Sequence, residues 1–216
     1  MTANAKQKKG IGKTVIALVC VMLIFVAGFF HKLTSPRILN KEELALNGAV
    51  VFDKGRIIPD FALIDHNGEP FTLENLKGKW SLIYFGFTHC PDICPTTFAT
   101  LSKVYSQLED DIKDQTQVIL LSVDPARDTP EKLKAYVGHF NEDFIGVTGE
   151  FLPILKLSGN LNVAFNKVVT GDDYTVDHSG HLVLMNPYGH YHGIFKPPFK
   201  LSALKLTYQS IVSSFE

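Results

Sequence analysis

Cysteine is scarce in this chain, with only Cys20, Cys90 and Cys94 among 216 residues. Three cysteines cannot build a disulfide-rich scaffold or a four-cysteine zinc module. Net charge is equally thin: 21 Lys and Arg stand against 22 Asp and Glu, a formal balance of -1. No broad basic field is left to hold nucleic acid. Glycine and proline are not in excess either. With 16 Gly, 11 Pro, 45% hydrophobic and 20% charged residues, the composition suits one packed domain and excludes long disorder.

Acid is missing from the first thirty residues, which instead carry Lys6, Lys8, Lys9 and Lys13. From Thr14 to Phe30 run 17 uncharged, mostly apolar residues, or 20 counted from Ile11 with Lys13 snorkelling to the headgroups. At ~1.5 Å per residue such a helix just crosses a ~30 Å hydrocarbon core. Four lysines precede it, whereas Lys32 and Arg37 follow it, so the positive-inside bias predicts a cytoplasmic tail at 1–13, an anchor at 14–30 and an exported domain. A cleaved signal peptide with small-residue positions at Val26 and Gly28 competes, but the apolar run is long for one. Cys20 follows Val19, a poor match to a lipoprotein site, and reads as an inert membrane cysteine. No Arg- and Ser-rich transit segment precedes the span, which favours a single pass through a bacterial inner membrane with the domain in the periplasm.

Residues 31–50, with Pro36 and mixed charge, read as a stalk with room for one short helix, and the domain is expected from 51 to 216. Phe61–Ile64 and Phe71–Leu73 flank Asp65-His66-Asn67-Gly68 as a small hairpin. Ser81–Phe87 and Val118–Val123 are unbroken apolar runs, the mark of strands buried on both faces. Thr97–Leu108 has helical spacing, and Thr129-Pro130-Glu131 opens a second helix to about Phe140. Phe144–Val147 reads as a short strand and Phe151–Leu157 as a short helix. Pro187-Tyr188-Gly189 turns between Leu182–Met185 and His190–Phe195, and Leu201–Val212 closes the chain as an amphipathic helix. The order is α/β, a thioredoxin-like fold with a central mixed sheet and an N-terminal hairpin extension, plus one N-terminal transmembrane helix.

Phe87-Thr88-His89-Cys90-Pro91-Asp92-Ile93-Cys94-Pro95 sits where a buried strand ends and a helix begins, the place where α/β sheets gather ligands. Pro95 suits a first helical turn, which puts Cys94 at the helix start and Cys90 in the loop before it. Both sulfurs then lie near the positive end of the helix dipole, which favours thiolate. They can close to ~2.05 Å as a disulfide. They can also share a metal at ~2.3 Å per bond, about 4 Å apart. Soft thiolates select Cu(I), zinc or iron-sulfur chemistry, and two are too few for an ordinary cluster, so a third donor is needed.

Eight histidines are available. His31 and His66 fall in a stalk and a turn, and His139 lies late in an exposed helix, so solvation is the simpler reading of each. His190 and His192 alternate with Tyr191 on an expected edge strand and read as solvent-facing. His89 neighbours Cys90 but points to another side, a minor candidate. His178 stands out. Val176-Asp177-His178-Ser179 precedes the strand that in thioredoxin-like proteins follows a cis-proline loop facing the cysteines, yet no proline occurs between Pro153 and Pro187. A polar Asp-His pair there suggests a ligand in its place. His181 is the main competitor, with a structural role as its alternative.

The blocks PDFALIDHNGEPFTLENLKGKW, YFGFTHCPDICPTT, SVDPARDTP, FIGVTG and YTVDHSGHLVLMNPYG cover most of residues 59–195. Together they make the chain closely resemble the Sco/SenC family of copper-binding, thioredoxin-like proteins of cytochrome c oxidase assembly. The resemblance implies Cys90, Cys94 and His178 as ligands of copper, Cu(I) or Cu(II), with the two cysteines a disulfide when oxidised and metal-free. It implies a metallochaperone that supplies copper to the CuA centre of cytochrome c oxidase subunit II, reduces its cysteines, or both, alongside other copper chaperones. Asp124 in SVDP could contact a partner or support the site, with a turn role as the alternative. The rival function is an extracytoplasmic thiol-disulfide reductase or redox sensor using the CxxxC pair. A peroxiredoxin-like peroxidase fits poorly, because Thr88 and Cys90 are only two apart and no proline lies in residues 71–90.

Overall fold

A computed structural model of the protein describes residues 5–34, 37–171 and 173–215, so Pro36 lies outside the described residues. The chain divides into an N-terminal unit ending at Arg37 and a second unit from Ile38 onward. The first is a single helix, α1 (Ala5–Thr34), whose stretch Lys13–Phe30 is long and apolar enough to cross a membrane.

The second unit holds, in chain order, α2 (Lys41–Leu46), β1 (Ala49–Arg56), β2 (Ala62–Asp65), β3 (Pro70–Thr72), β4 (Trp80–Gly86), α3 (Ile93–Ser106), α4 (Asp110–Asp114) and β5 (Thr116–Ser122). There follow α5 (Pro130–Phe140), β6 (Ile145–Thr148), α6 (Phe151–Asn160), β7 (Phe165–Thr170), β8 (Asp173–His178), β9 (Leu182–Met185), β10 (Tyr191–Phe195) and α7 (Leu201–Ser213). Eight strands form one mixed sheet in the order β1-β10-β9-β4-β5-β6-β2-β3, with β4, β5 and β6 parallel and β9 antiparallel to β4. Every residue of β4 and β5 is buried, as their unbroken apolar runs demand. Burying side chains the size of Phe85, Ile119 and Leu120 stabilises the fold by roughly 1.5–3 kcal/mol each. Helix α3 packs against both α5 and α7, which fixes the axis of the helix that carries Cys94.

Local signals act as the residues imply. Asp65 Oδ1 accepts from the backbone of Asn67 (2.8 Å) and Glu69 (3.0 Å), closing the β2–β3 turn. Thr129 caps α5 through the Lys132 N–H, with Pro130 in the first turn.

Four expectations need correction. Residues 38–50 are not stalk: Leu39 is buried with its N–H donated to Ser210 Oγ (2.6 Å), and β1 pairs with β10 from Ala49 onward, so the packed unit begins at Ile38. Strand β10 is consequently internal, and His192, read as solvent-facing, is buried with its ring 5.2 Å from that of Trp80. The segment before His178 is not a loop but a two-stranded ribbon, β7–β8, separate from the main sheet. His66 is not merely solvated, because its Nδ1 accepts the Gly146 N–H at 2.9 Å.

Burial lowers the pKa of His66, His181 and His192 below the ordinary histidine value of 6.5. Below that value the unfolded chain takes up protons at these positions before the folded chain does, so stability falls as pH drops through the folded pKa values. Above 6.5 these histidines leave stability flat. Urea midpoints are therefore expected to fall between about pH 7 and 5, with a smaller fall in His192→Phe, in which the neutral ring keeps its place against Trp80. Equal slopes for both proteins would show that His192 does not contribute.

Candidate metal centre

Strand β4 is buried along its length and delivers the chain to a short loop, Phe87–Asp92, before α3 begins at Ile93. Cys90 lies in that loop and Cys94 is the second residue of the helix, as the position of Pro95 requires. Gly86, the last residue of β4, makes room for them: a Cβ there would lie 3.0 Å from Cys94 Sγ and 3.1 Å from the Tyr84 ring. His178 is the last residue of β8 and comes from the ribbon, far along the chain.

The three side chains converge. One donor atom from each of Cys90, Cys94 and His178 lies within 4.8 Å of the others, and they form the group of such donors found among the described residues. His178 Nε2 stands 3.5 Å from Cys94 Sγ, and the Cys94 N–H donates to Cys90 Sγ at 3.4 Å. His178 Nδ1 faces the Ser179 carbonyl oxygen at 3.2 Å. A carbonyl only accepts, so the proton belongs on Nδ1 and the Nε2 lone pair is aimed at the sulfurs. The rings of Tyr84 and Phe87 meet the imidazole edge-on at 5.6 and 6.1 Å and hold its plane.

Both thiols are free, and the electrostatics split them. Cys90 is lowered, first by the hydrogen bond from the Cys94 side chain, then by those from the backbone of Cys94 and Asp92, against the opposing cost of burial. Cys94 is pushed up, because it keeps the shared proton for Cys90 and is fully buried. A helix start near both sulfurs thus favours thiolate at Cys90 and not at the buried Cys94. Such a set can grip a soft cation once the Cys94 proton leaves, or attack a disulfide through Cys90.

The other histidines stand apart. His89 is half-exposed, with Nδ1 3.1 Å from Thr88 Oγ and 3.9 Å from Asp128 Oδ1. His181 lines an open pocket with Arg56, Asn162 and Tyr191, and its Nε2 is buried without a partner among the described residues. Asp124 is nearly inaccessible and does structural work: its carbonyl closes the turn to Arg127 and Asp128, and its carboxylate takes the Arg127 Nε–H and the Tyr174 hydroxyl (2.8 Å).

Asp128 was not singled out by sequence reasoning. Its buried carboxylate accepts from the Thr88 N–H (3.1 Å), Thr88 Oγ (2.6 Å) and Ser122 Oγ (2.7 Å), which pins the loop leading to Cys90. An Asp just before a helix reads as an ordinary turn residue, and nothing in the local spacing marked it as facing inward.

The sequence profile of the SCO1/SenC family matches residues 52–211. The chain belongs to the SCO1/SenC family. A protein of Stutzerimonas stutzeri described as copper-binding is 40% identical over 166 residues, 76% of this chain and 81% of that protein. The mitochondrial protein SCO2 of Saccharomyces cerevisiae is 38% identical over 173 residues, covering 79% of this chain and 58% of the yeast protein. Among solved structures, yeast Sco1 with copper bound superposes with a TM-score of 0.68 at 34% identity, over 74% of this chain and 91% of that one. Bradyrhizobium japonicum ScoI with copper bound gives 0.62 at 38% identity, over 72% and 98%. The thioredoxin-like α/β assignment for this SCO1/SenC member therefore holds, with the hairpin β2–β3 joined to the β6 side of the sheet.

Proposed function

We propose that Cys90, Cys94 and His178 hold a copper ion as cargo, and that the chain passes it to the CuA centre of cytochrome c oxidase subunit II. The observation that carries this reading is the convergence of three soft or borderline donors within 4.8 Å in a family whose solved members include copper-bound structures. Two thiolates and a neutral imidazole suit Cu(I), leaving a formal site charge of -1, and accommodate Cu(II) with charge zero. Binding displaces the proton held by Cys94, so copper is held less tightly in acid. In this reading residues 1–13 are a cytoplasmic tail and 14–30 anchor the protein in a bacterial inner membrane, with the copper-binding domain in the periplasm. Other copper chaperones are its source of metal.

A second reading has one observation in its favour. The thiolate at Cys90 beside the protonated Cys94 is the asymmetry that a thiol-disulfide reductase needs. The two separate in one experiment. Reduced protein carrying one Cu(I) is mixed with the copper-free CuA fragment of subunit II, and metal-free reduced protein is mixed with the oxidised fragment in the presence of a dithiol donor. The carrier predicts stoichiometric movement of copper and no repeated turnover. Repeated reduction of the fragment's disulfide with no copper transferred would replace it with the reductase.

A further inference from the structure

The three donors do not come from one rigid element. Cys94 is built on α3, which two other helices hold in place, whereas His178 ends a ribbon that shares no ladder with the eight-stranded sheet. At its base the ribbon is closed by Ser179, whose N–H donates to the Ala164 carbonyl at 2.8 Å and whose Oγ accepts the Ala164 N–H at 3.0 Å. A two-stranded ribbon alone is marginal in water, so the far end needs another attachment.

That attachment is Arg127. Its Nη1 donates to the Tyr174 carbonyl (3.1 Å) and to Asp173 Oδ1 (3.3 Å), and its guanidinium lies 3.7 Å from the centre of the Tyr174 ring. Its Nε is paired with Asp124, whose other carboxylate oxygen takes the Tyr174 hydroxyl. On the inner side the guanidinium lies 5.9 Å from the centre of Phe87, the ring that meets His178 edge-on. Asp124 itself is fixed to the end of β5, its N–H donated to Ser122 Oγ at 3.0 Å and its carbonyl accepting from Arg127 and Asp128. Five residues on one turn therefore reach both arms of the site: Asp128 pins the Cys90 loop through Thr88, and Arg127 with Asp124 pins the ribbon that ends in His178.

We propose that the Asp124–Asp128 turn sets the spacing between the sulfur pair and the imidazole, with Arg127 as the positioning residue for His178. This rests on the reading of Cys90, Cys94 and His178 as one metal site, and adds what holds its third donor in place. A planar, five-donor guanidinium suits the task, because one group binds a carboxylate, a carbonyl and an aromatic face at once.

The test uses Arg127→Leu, Arg127→Lys and the milder Tyr174→Phe, which removes only the hydroxyl bond to Asp124. In metal-free reduced protein, amides of residues 167–176 are expected to exchange on the order of tenfold faster in Arg127→Leu while those of β4 and β5 are unchanged. Tyr174→Phe should show a smaller effect in the same direction, and Arg127→Lys a partial rescue. Copper affinity should fall about tenfold in Arg127→Leu, with weaker imidazole nitrogen hyperfine coupling in the Cu(II) spectrum, and fall little further when the change is made in His178→Ala. Unchanged exchange in the ribbon overturns the tether whatever copper does. An equal affinity loss with and without His178 also overturns it, since Arg127 would then act by another route. If His178→Ala alone leaves copper affinity intact, the ligand set falls, while the exchange data still decide the tether.

Discussion

Cys94→Ser is expected to cost the protein its Cu(I), with affinity down by more than about 100-fold, beyond the 10–100-fold typical of lost supporting contacts. The reason is chemical first: a hydroxyl is a hard, weakly acidic donor, and Cu(I) is selected by soft thiolate. It is also geometric. Cys94 Sγ is fully buried, 3.5 Å from His178 Nε2, and hydrogen-bonded to Cys90, so its loss breaks contact with both remaining donors. Cys90→Ser should do the same, leaving a hard oxygen in place of the sulfur that faces the Cys94 N–H. Competition against a chromophoric Cu(I) chelator measures both. Retention of one copper per chain at native affinity in either serine variant would refute thiol ligation.

Gly193→Ala should be the most damaging small change to the fold. Strand β10 lies between β1 and β9, and a Cβ at Gly193 would sit 2.4 Å from the Val50 carbonyl oxygen and 3.1 Å from Val51 Cα. Both neighbours are backbone, so no side chain can move aside; strand β1 must shift. Overpacking of this kind costs about 1–3 kcal/mol, occasionally more. For a domain of this size that is a fall in Tm of about 2–4 °C per kcal/mol. The folded fraction should keep its copper stoichiometry, because β9 separates β10 from the strand that leads to the cysteines. A native Tm would mean that residues 49–56 do not pair with β10.

The strand that this substitution displaces shows where sequence reading stops. The runs that became β4 and β5 are legible because both faces are buried and their centres, Leu82–Phe85 and Val118–Leu121, are continuously apolar. Strand β1 mixes Ala49–Phe52 with Asp53, Lys54 and Gly55, as an edge strand with a partly wet face can, so it carries no strand pattern and the stalk boundary at 50 falls inside it. That omission propagated: without β1, β10 looks like an edge and His192 looks solvated. The ribbon was missed for a related reason, since five of its strands' twelve positions are only partly covered and one is buried, too little for clean alternation. The β-branched Val168-Val169-Thr170 and Thr175-Val176 on either side of Gly171 (φ 63°) were the available signal of a hairpin.

By itself the sequence determined the apolar N-terminal helix, the α/β order, the strand-loop-helix junction with its CxxxC pair, and the family, because each is written in local spacing or in contiguous blocks. Tertiary structure decided the rest. It alone showed that the imidazole at 178 meets sulfurs more than eighty residues earlier in the chain, that burial and their mutual hydrogen bond push the two thiols in opposite directions, and that Arg127 and Asp128 brace the segments involved. Those properties depend on distance and on exclusion of water, and neither quantity exists until the chain has folded.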